Sequence, residues 1–459
     1  MVAVLSFDPD DRRYLAELAE YVSIPSVSRD SDPATMRRAA EWVAGQLAFA
    51  GGRVVETDGN PIVLGEVKVA DGAPTILIYG HYDVQPTGSL DEWKSPPFEL
   101  TVDGGRMRGR GATDDKGPVY VALKVAQAFC AQEGAPPLNL KFIVEGEEEI
   151  GSPNLSRFVA ANADRLAADL VLSADGAMWR PGEPSVSIAS KGMVSLDLVV
   201  TGADDDLHSG RYGGTVANPL HALAQILASL HTTDGAVAVA GFYDGIPQLS
   251  EARRAEIAKV EFSERDYTET LGLTETFGEV GYTTLERLWE RPTLEVNGIL
   301  GGGKYSVIPH MVTAHISCRL VPGQHPERVL DAVEVHLAEQ RPPGVEVRVD
   351  RDPGGVPAYT IAVGHPAVRA AAAALRHVYP GQAILFPTIG GTLPATSLFE
   401  QSLGAKTLFF SFSTSDEKLH APNEFMRIRR LREGMRAWEQ LWRLLAEGEH
   451  RLQPLARVG

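Results

Sequence analysis

Five short clusters of histidine and acidic residues stand at or beyond points where expected strands hand over to turns or helices: His81-Tyr-Asp83, Asp114-Asp115, Glu145-Gly-Glu147-Glu148-Glu149, Asp175 and His420-Ala-Pro-Asn-Glu424. His81 can present a neutral ring nitrogen to a metal, and Asp83, two positions on in an extended turn, can orient that ring. Read singly, each cluster is ordinary. His-x-Asp after a strand makes a hydrogen-bonded turn, Asp114 or Asp115 caps a helix, and the glutamates form a solvated acidic turn. Four glutamates within five residues nevertheless repel one another unless a cation is near. Together the clusters supply two histidines and three or more carboxylates, a donor set suited to Zn²⁺ and acceptable to Mn²⁺ or Co²⁺. Two such ions sharing Asp114 could polarise a carbonyl and activate a water between them.

These residues need a scaffold that brings strand ends together. The run Thr75–Tyr79 reads as a central buried strand whose end, through Gly80, opens into a crevice at His81. Helices are expected over Asp10–Val22, with Leu15, Leu18, Ala19 and Val22 inward, and over Thr35–Ala50, stopped by Gly51-Gly52. Strands at Val54-Val55, Ile62–Val67, Leu138–Val144 and Leu170–Ser173, with a helix over about Gly117–Ala131, complete an α/β alternation. The fold class is therefore α/β, a mostly parallel sheet with helices on both faces. After about Ser190 the pattern changes. Val312–Leu320 alternates strictly, Val194–Thr201 reads as half-exposed, and amphipathic helices cover Pro219–Leu230 and Pro326–Gln340. This predicts an inserted α+β domain over 189–356, with 1–188 and 357–459 forming one discontinuous domain. The later α/β part carries the helix Pro366–Val378, strands at Ile384–Phe386 and Thr407–Phe410, and a last helix through Leu444.

The chain has 459 residues, 44% hydrophobic and 22% charged, the composition of a globular protein of two to three domains. A net charge of −17 opposes binding to nucleic acid or anionic membranes. Two cysteines, Cys130 and Cys318, cannot build a disulfide framework. The start, Met1–Asp8, lacks a basic leader, and no eighteen-residue apolar run exists, so a cytoplasmic location is expected.

In this light the chain resembles the di-metal amidohydrolase and peptidase family of carnosinases, aminoacylases and acetylornithine deacetylases, and within it the carnosinase-like dipeptidases. The resemblance spans nearly the whole length. Its motifs are His81-Tyr-Asp83-Val, Gly109-Arg-Gly-Ala-Thr-Asp114-Asp-Lys-Gly-Pro, Glu145-Gly-Glu-Glu148-Glu149-Ile-Gly-Ser, Ser173-Ala-Asp175, Asp206-Leu-His208-Ser-Gly, Val307-Ile-Pro309 ahead of Ser317-Cys-Arg319-Leu-Val-Pro, and His420-Ala-Pro-Asn-Glu. It implies two divalent ions, zinc first with manganese or cobalt as substitutes. His81 and Asp175 would hold one, Glu149 and His420 the other, and Asp114 would bridge. Asp83 would orient His81, a cis peptide would follow Asp114, and Glu148 would be the general base acting on a metal-bridging water. The inserted domain would be a lid and dimerisation domain of a homodimer. Its His208 would stabilise the oxyanion in the partner subunit's site, and Arg319 would clamp the carboxylate of a small peptide. Ser306 stands where carnosinase-like members often have threonine, and Thr392 of Gly390-Gly391-Thr392 where they often have serine. Those three, Ser306, Gly391 and Thr392, would contact substrate. His420-Ala-Pro replaces the His-Ser of carnosinase-like enzymes, which argues against carnosine itself. The implied activity is hydrolysis of dipeptides or short peptides. The rivals are an N-acyl amino acid deacylase or desuccinylase of the same family, and an inactive binding protein on the same fold.

Overall fold

The computed structural model describes residues 4–7, 12–303 and 305–455. Asp10, where the first helix was expected to begin, and Met1–Ala3 and Asp8 of the N-terminal stretch lie outside the described residues. The chain forms two compact units. One comprises the residues up to Ile188, Ile361–Pro387 and the residues from Pro394; the other comprises Ala189–Thr360 and Thr388–Leu393.

The first unit is organised by a six-stranded sheet containing β1 (Arg53–Val55), β2 (Ile62–Val67), β3 (Thr75–His81), β4 (Asn139–Glu145) and β5 (Leu170–Ser173). The spatial order is β1-β2-β4-β3-β5, with Thr407–Phe409 at the far edge. β4, β3, β5 and Thr407–Phe409 run parallel, whereas β1 and β2 pair antiparallel. Every residue of β3 is buried. Each large aliphatic side chain there contributes about 1.5–3 kcal/mol by leaving water. The alternation of β3 serves two faces. Leu77 and Tyr79 join Ile143, Val171, Phe158 and Phe399 in one core. On the other face Phe142 meets the edge of Phe49, and helix α3 (Lys116–Gln132) crosses β3 at Gly80.

Two earlier helices differ in detail from the sequence pattern. α1 (Arg12–Val22) buries Tyr14, Leu18, Tyr21 and Val22 in place of Leu15 and Ala19. The two tyrosines win because Tyr21 stacks on Trp42 at 4.1 Å and Tyr14 meets Tyr120 edge-on. α2 (Pro33–Gln46) begins at Asp32, whose carboxylate accepts the Ala34 and Thr35 N–H groups, and gives way to a 3₁₀ turn over Ala48–Ala50. Gly51, at φ 61°, ends it in the left-handed region that glycine adopts freely. The strand expected over Ile384–Phe386 does not form. Leu385 makes one isolated bridge to Ser185, and the strand begins after Pro387, as Thr388–Ile389 parallel to Ala189–Ser190.

The second unit holds a four-stranded antiparallel sheet of β6 (Gly192–Thr201), β7 (Thr293–Leu300), β8 (Met311–Leu320) and β9 (Glu346–Arg351), in the order β7-β8-β6-β9. The burial of β8 alternates as its sequence does. Val312, Ala314, Ile316, Cys318 and Leu320 face a core shared with Leu223 and Ile226 of the helix Pro219–Ala228 and with Leu330 and Val333 of the helix Pro326–Glu339. No helix among the described residues is long and apolar enough to cross a membrane. Cys130 and Cys318 are free thiols.

Candidate metal centre

The carboxyl ends of β4, β3 and β5 lie side by side, His81 being opposite Glu145 and Tyr79 opposite Ser173. Each strand therefore delivers its next residues to one crevice, the place where open α/β sheets bind ligands. His81 leaves β3 fully buried. Its Nδ1 lies 3.0 Å from the main-chain oxygen of Asp83, so that nitrogen carries the proton, and Nε2 is left with a lone pair that could hold a metal. The Asp83 carboxylate lies 3.3 Å from the same nitrogen. It also accepts the N–H groups of Glu148 (3.2 Å) and Glu149 (3.0 Å), pinning the turn that carries both glutamates.

Asp114 sits at the centre of the cluster. Its Oδ1 is 3.2 Å from His81 Nε2 and its Oδ2 is 2.9 Å from His420 Nε2, one histidine to each oxygen. Burial would raise its pKa, but the bonds to His420 and His81 outweigh that and hold it below the usual carboxylate range. The Asp114–Asp115 peptide is cis. Neither aspartate caps α3: Asp115 occupies the N-cap position without a side-chain cap bond, and its Oδ2 accepts the His81 N–H. Gly80 makes this approach possible, since a β-carbon there would overlap Val119 and come within 2.5 Å of Asp115 Oδ2.

His81, Asp114 and Glu149 form one group whose ligand atoms all lie within 4.8 Å of one another, and His81, Glu148 and Asp175 form a second. His420 reaches Glu149 at 3.3 Å. Burial raises the carboxyls of Glu149 to about 7 and of Asp175 to about 6, with Asp114 adding to both. Glu148 is likewise held well above the usual carboxylate range, chiefly by burial, with Asp175, Asp114 and Glu149 adding to it against the opposing pull of His81. So many mutually repelling carboxylates around two imidazoles call for a cation, and the oxygen and nitrogen donors fit divalent zinc, manganese or cobalt.

The acidic run splits by role. Glu145 accepts from Tyr79 Oη and Ser152 Oγ, and Glu147 accepts from Asn154 and the Asn60 N–H, so neither reaches the cluster. Three supporting residues have roles that the sequence reading did not assign. Gln85 donates to Glu149 Oε2 at 2.8 Å. Glu424, fully buried, accepts from Arg110 and from the N–H groups of Gly111, Thr113 and Asp114, tying the His420 segment to the Asp114 loop. Asn423 accepts the Lys94 N–H and donates to the Glu92 carbonyl, holding a segment in which His420 and Asn423 both have φ near 60°. A polar residue three or four places after the candidate ligand His420 was the available signal for the last two.

The remaining candidates lie in the second unit. His208 is exposed, paired with Val307, and its Nδ1 accepts the Gly210 N–H. Its neighbour Asp206 accepts both the main-chain N–H and Nδ1 of His310. Ser306 is exposed, and its carbonyl accepts the Ser209 N–H. Arg319 donates through Nη1 to Thr392 Oγ1 at 2.9 Å, beside the exposed Gly391.

The sequence model of peptidase family M20/M25/M40 matches residues 77–444. The Cys-Gly metallodipeptidase dug1 of Schizosaccharomyces pombe is 31% identical, over 91% of this chain and 92% of that protein. The Beta-Ala-His dipeptidase of Homo sapiens is 28% identical, over 90% and 86%. Among solved structures, the M20 family metallo-carboxypeptidase Sso-CP2 from Sulfolobus solfataricus superimposes with a TM-score of 0.82 at 30% identity, covering 95% of this chain and 99% of that one. With a family match over four-fifths of its length and a cluster of histidines and carboxylates at the sheet's carboxyl edge, the chain belongs to peptidase family M20/M25/M40.

Proposed function

We propose that this protein is a metal-dependent dipeptidase that cleaves the peptide bond of dipeptides or short peptides with a free C-terminal carboxylate. The observation that carries the reading is Asp114, a buried carboxylate with a different histidine on each oxygen. The similarity to proteins named as dipeptidases points the same way. In this reading His81 and Asp175 hold one divalent ion, Glu149 and His420 the other, and Asp114 is shared; zinc is the first choice, with manganese and cobalt as substitutes. The ions would supply Lewis acidity toward the scissile carbonyl and lower the pKa of the attacking water.

The chain's own residues do the rest. Glu148 takes the proton from the attacking water and hands it to the leaving amine, a role suited to a buried carboxyl whose proton affinity is raised. Asp83 fixes that base through the two amide bonds to the Glu148-Glu149 turn. Arg319, steadied by Thr392, binds the substrate carboxylate with Ser306 and Gly391 completing the contact. The protein acts as a homodimer in which His208 of each copy stabilises the oxyanion in the other. The exposed edge strand β7, with Ile299 52% and Leu300 76% exposed, supports pairing between copies. A cytoplasmic location goes with the two free thiols.

The test strips the protein with chelator and re-supplies Zn²⁺, Mn²⁺ or Co²⁺ before assaying dipeptides beside N-acetyl and N-succinyl amino acids. Metal-dependent dipeptide cleavage supports the reading. Cleavage of the acyl compounds only would replace it with a deacylase, and no turnover with any metal would leave a binding protein on the same fold.

A further inference from the structure

The second unit contains a cavity of about 280 Å³ that the peptidase reading does not use. Its inner wall is the start of β7 together with Lys191. Its outer wall is the segment from Tyr267 through the helix Thr284–Glu290. Two glycines set that wall's position: a β-carbon on Gly235 would lie 2.6 Å from the Gly278 backbone, so the two chains touch directly there, and the Val280 N–H donates to the Asp234 carbonyl. The mouth is apolar and open to water. Phe277 is 80% exposed, Leu273 48% and Leu288 38%, an exposed apolar group of the kind that marks a binding site.

The interior is cationic. Lys191 is buried, and among the described residues its ammonium makes one hydrogen bond, to the Arg291 carbonyl. Burial, followed by repulsion from Arg319, pushes its pKa down to about 8. A buried ammonium with two uncommitted N–H groups is stabilised by an anion brought to it. Arg287 lines the same space and spends its Nε on the Tyr282 carbonyl. On the acidic side Glu279 is committed to Arg291 by two 2.7 Å bonds, and Glu295 stands on the exposed face of β7. Lys191 and Arg287 against Glu295 leave the lining net positive.

We propose that this cavity binds a small organic acid with an aryl or alkyl body, its carboxylate toward Lys191 and its apolar part between Phe277, Leu273 and Leu288. The cavity shares no lining residue with the metal cluster, and the proposal does not depend on peptidase activity.

Fluorescence titration of the full chain with 8-anilinonaphthalene-1-sulfonate, followed by displacement with 4-phenylbutyrate or 4-phenylbutylamine, tests this without any peptide substrate. Saturable binding of one probe per chain is expected, with the acid displacing it at least tenfold better than the amine. Lys191→Met and Arg287→Gln should each weaken the acid, Lys191→Met by about tenfold or more. Leu273→Ser with Phe277→Ser should abolish probe binding while the far-UV circular dichroism and the denaturation midpoint stay at the wild-type values. Equal displacement by acid and amine, or unchanged probe binding in the Leu273/Phe277 variant, would overturn the proposal. So would the absence of saturable binding together with conversion of a dimer to monomers by that variant, which would mean that a second copy covers the mouth.

Discussion

At the scale of single residues, Glu148 and the carboxyls beside it carry the sharpest predictions. Glu148→Gln keeps the shape and loses the proton acceptor, so kcat should fall about 10²- to 10⁴-fold, with metal content by elemental analysis unchanged. A variant of wild-type rate would remove Glu148 from the mechanism. The raised pKa values of Asp175 (about 6) and Glu149 (about 7) set a pH dependence. In the metal-free protein the native state holds these protons while the unfolded state has released them, so stability falls as pH rises from the ordinary carboxylate range through 7. Metal must displace the same protons, so its affinity moves the opposite way, rising between pH 5.5 and 7.5. Chelator-buffered metal titrations and denaturant melts at about pH 5.5 and 7.5 measure both slopes. Glu149 and Asp175, like His81, were legible in the sequence because each stands at or just after the end of an apolar strand, whereas Asp114 and His420 were picked out by their motifs. The second role of Asp83 was not, because it depends on meeting two amides 65 and 66 residues away.

At the scale of elements, the meeting of β3 with α3 and the tie through Glu424 decide whether the cluster assembles. Gly80→Ala would drive a methyl group into Val119 and Asp115, displacing the start of α3 and with it Asp114. We expect a loss of about 1–3 kcal/mol in denaturant melts, with weaker metal retention than the stability loss alone would give. Glu424→Ala would strand the buried Arg110 and three main-chain donors. The expected cost is about 3–5 kcal/mol, and a chemical denaturation midpoint equal to that of the wild type would refute the structural role. Strand and helix positions were readable wherever hydrophobic period was strong, as in β3 and β8. The helix α1 formed as expected, but aromatic pairing replaced Leu15 and Ala19 on its inward face, and only the strand expected at Ile384 failed, displaced beyond Pro387. Glu424 could be seen in the sequence as part of a motif, but its function is a contact across 310 residues that no local pattern encodes.

At the scale of the whole molecule, two separately packed cores predict two unfolding events. Stripping metal should lower the transition of the unit built on β1–β5, since ions at a hundred times their dissociation constant contribute about 2.7 kcal/mol each. The transition of the unit built on β6–β9 should stay in place. Scanning calorimetry with and without chelator reads both, and equal shifts in the two would contradict independent cores. The order of the chain has a consequence for biosynthesis. His81, Asp114, Glu148, Glu149 and Asp175 all emerge from the ribosome before the second unit is made, whereas His420, Glu424 and the edge strand Thr407–Phe409 come after it. A nascent chain therefore carries a crowded, unclosed nest of acids for more than half of its synthesis. In the proposed reading full metal loading is therefore a property of the finished polypeptide, and a chain cut short before residue 420 would leave the nest without its second imidazole.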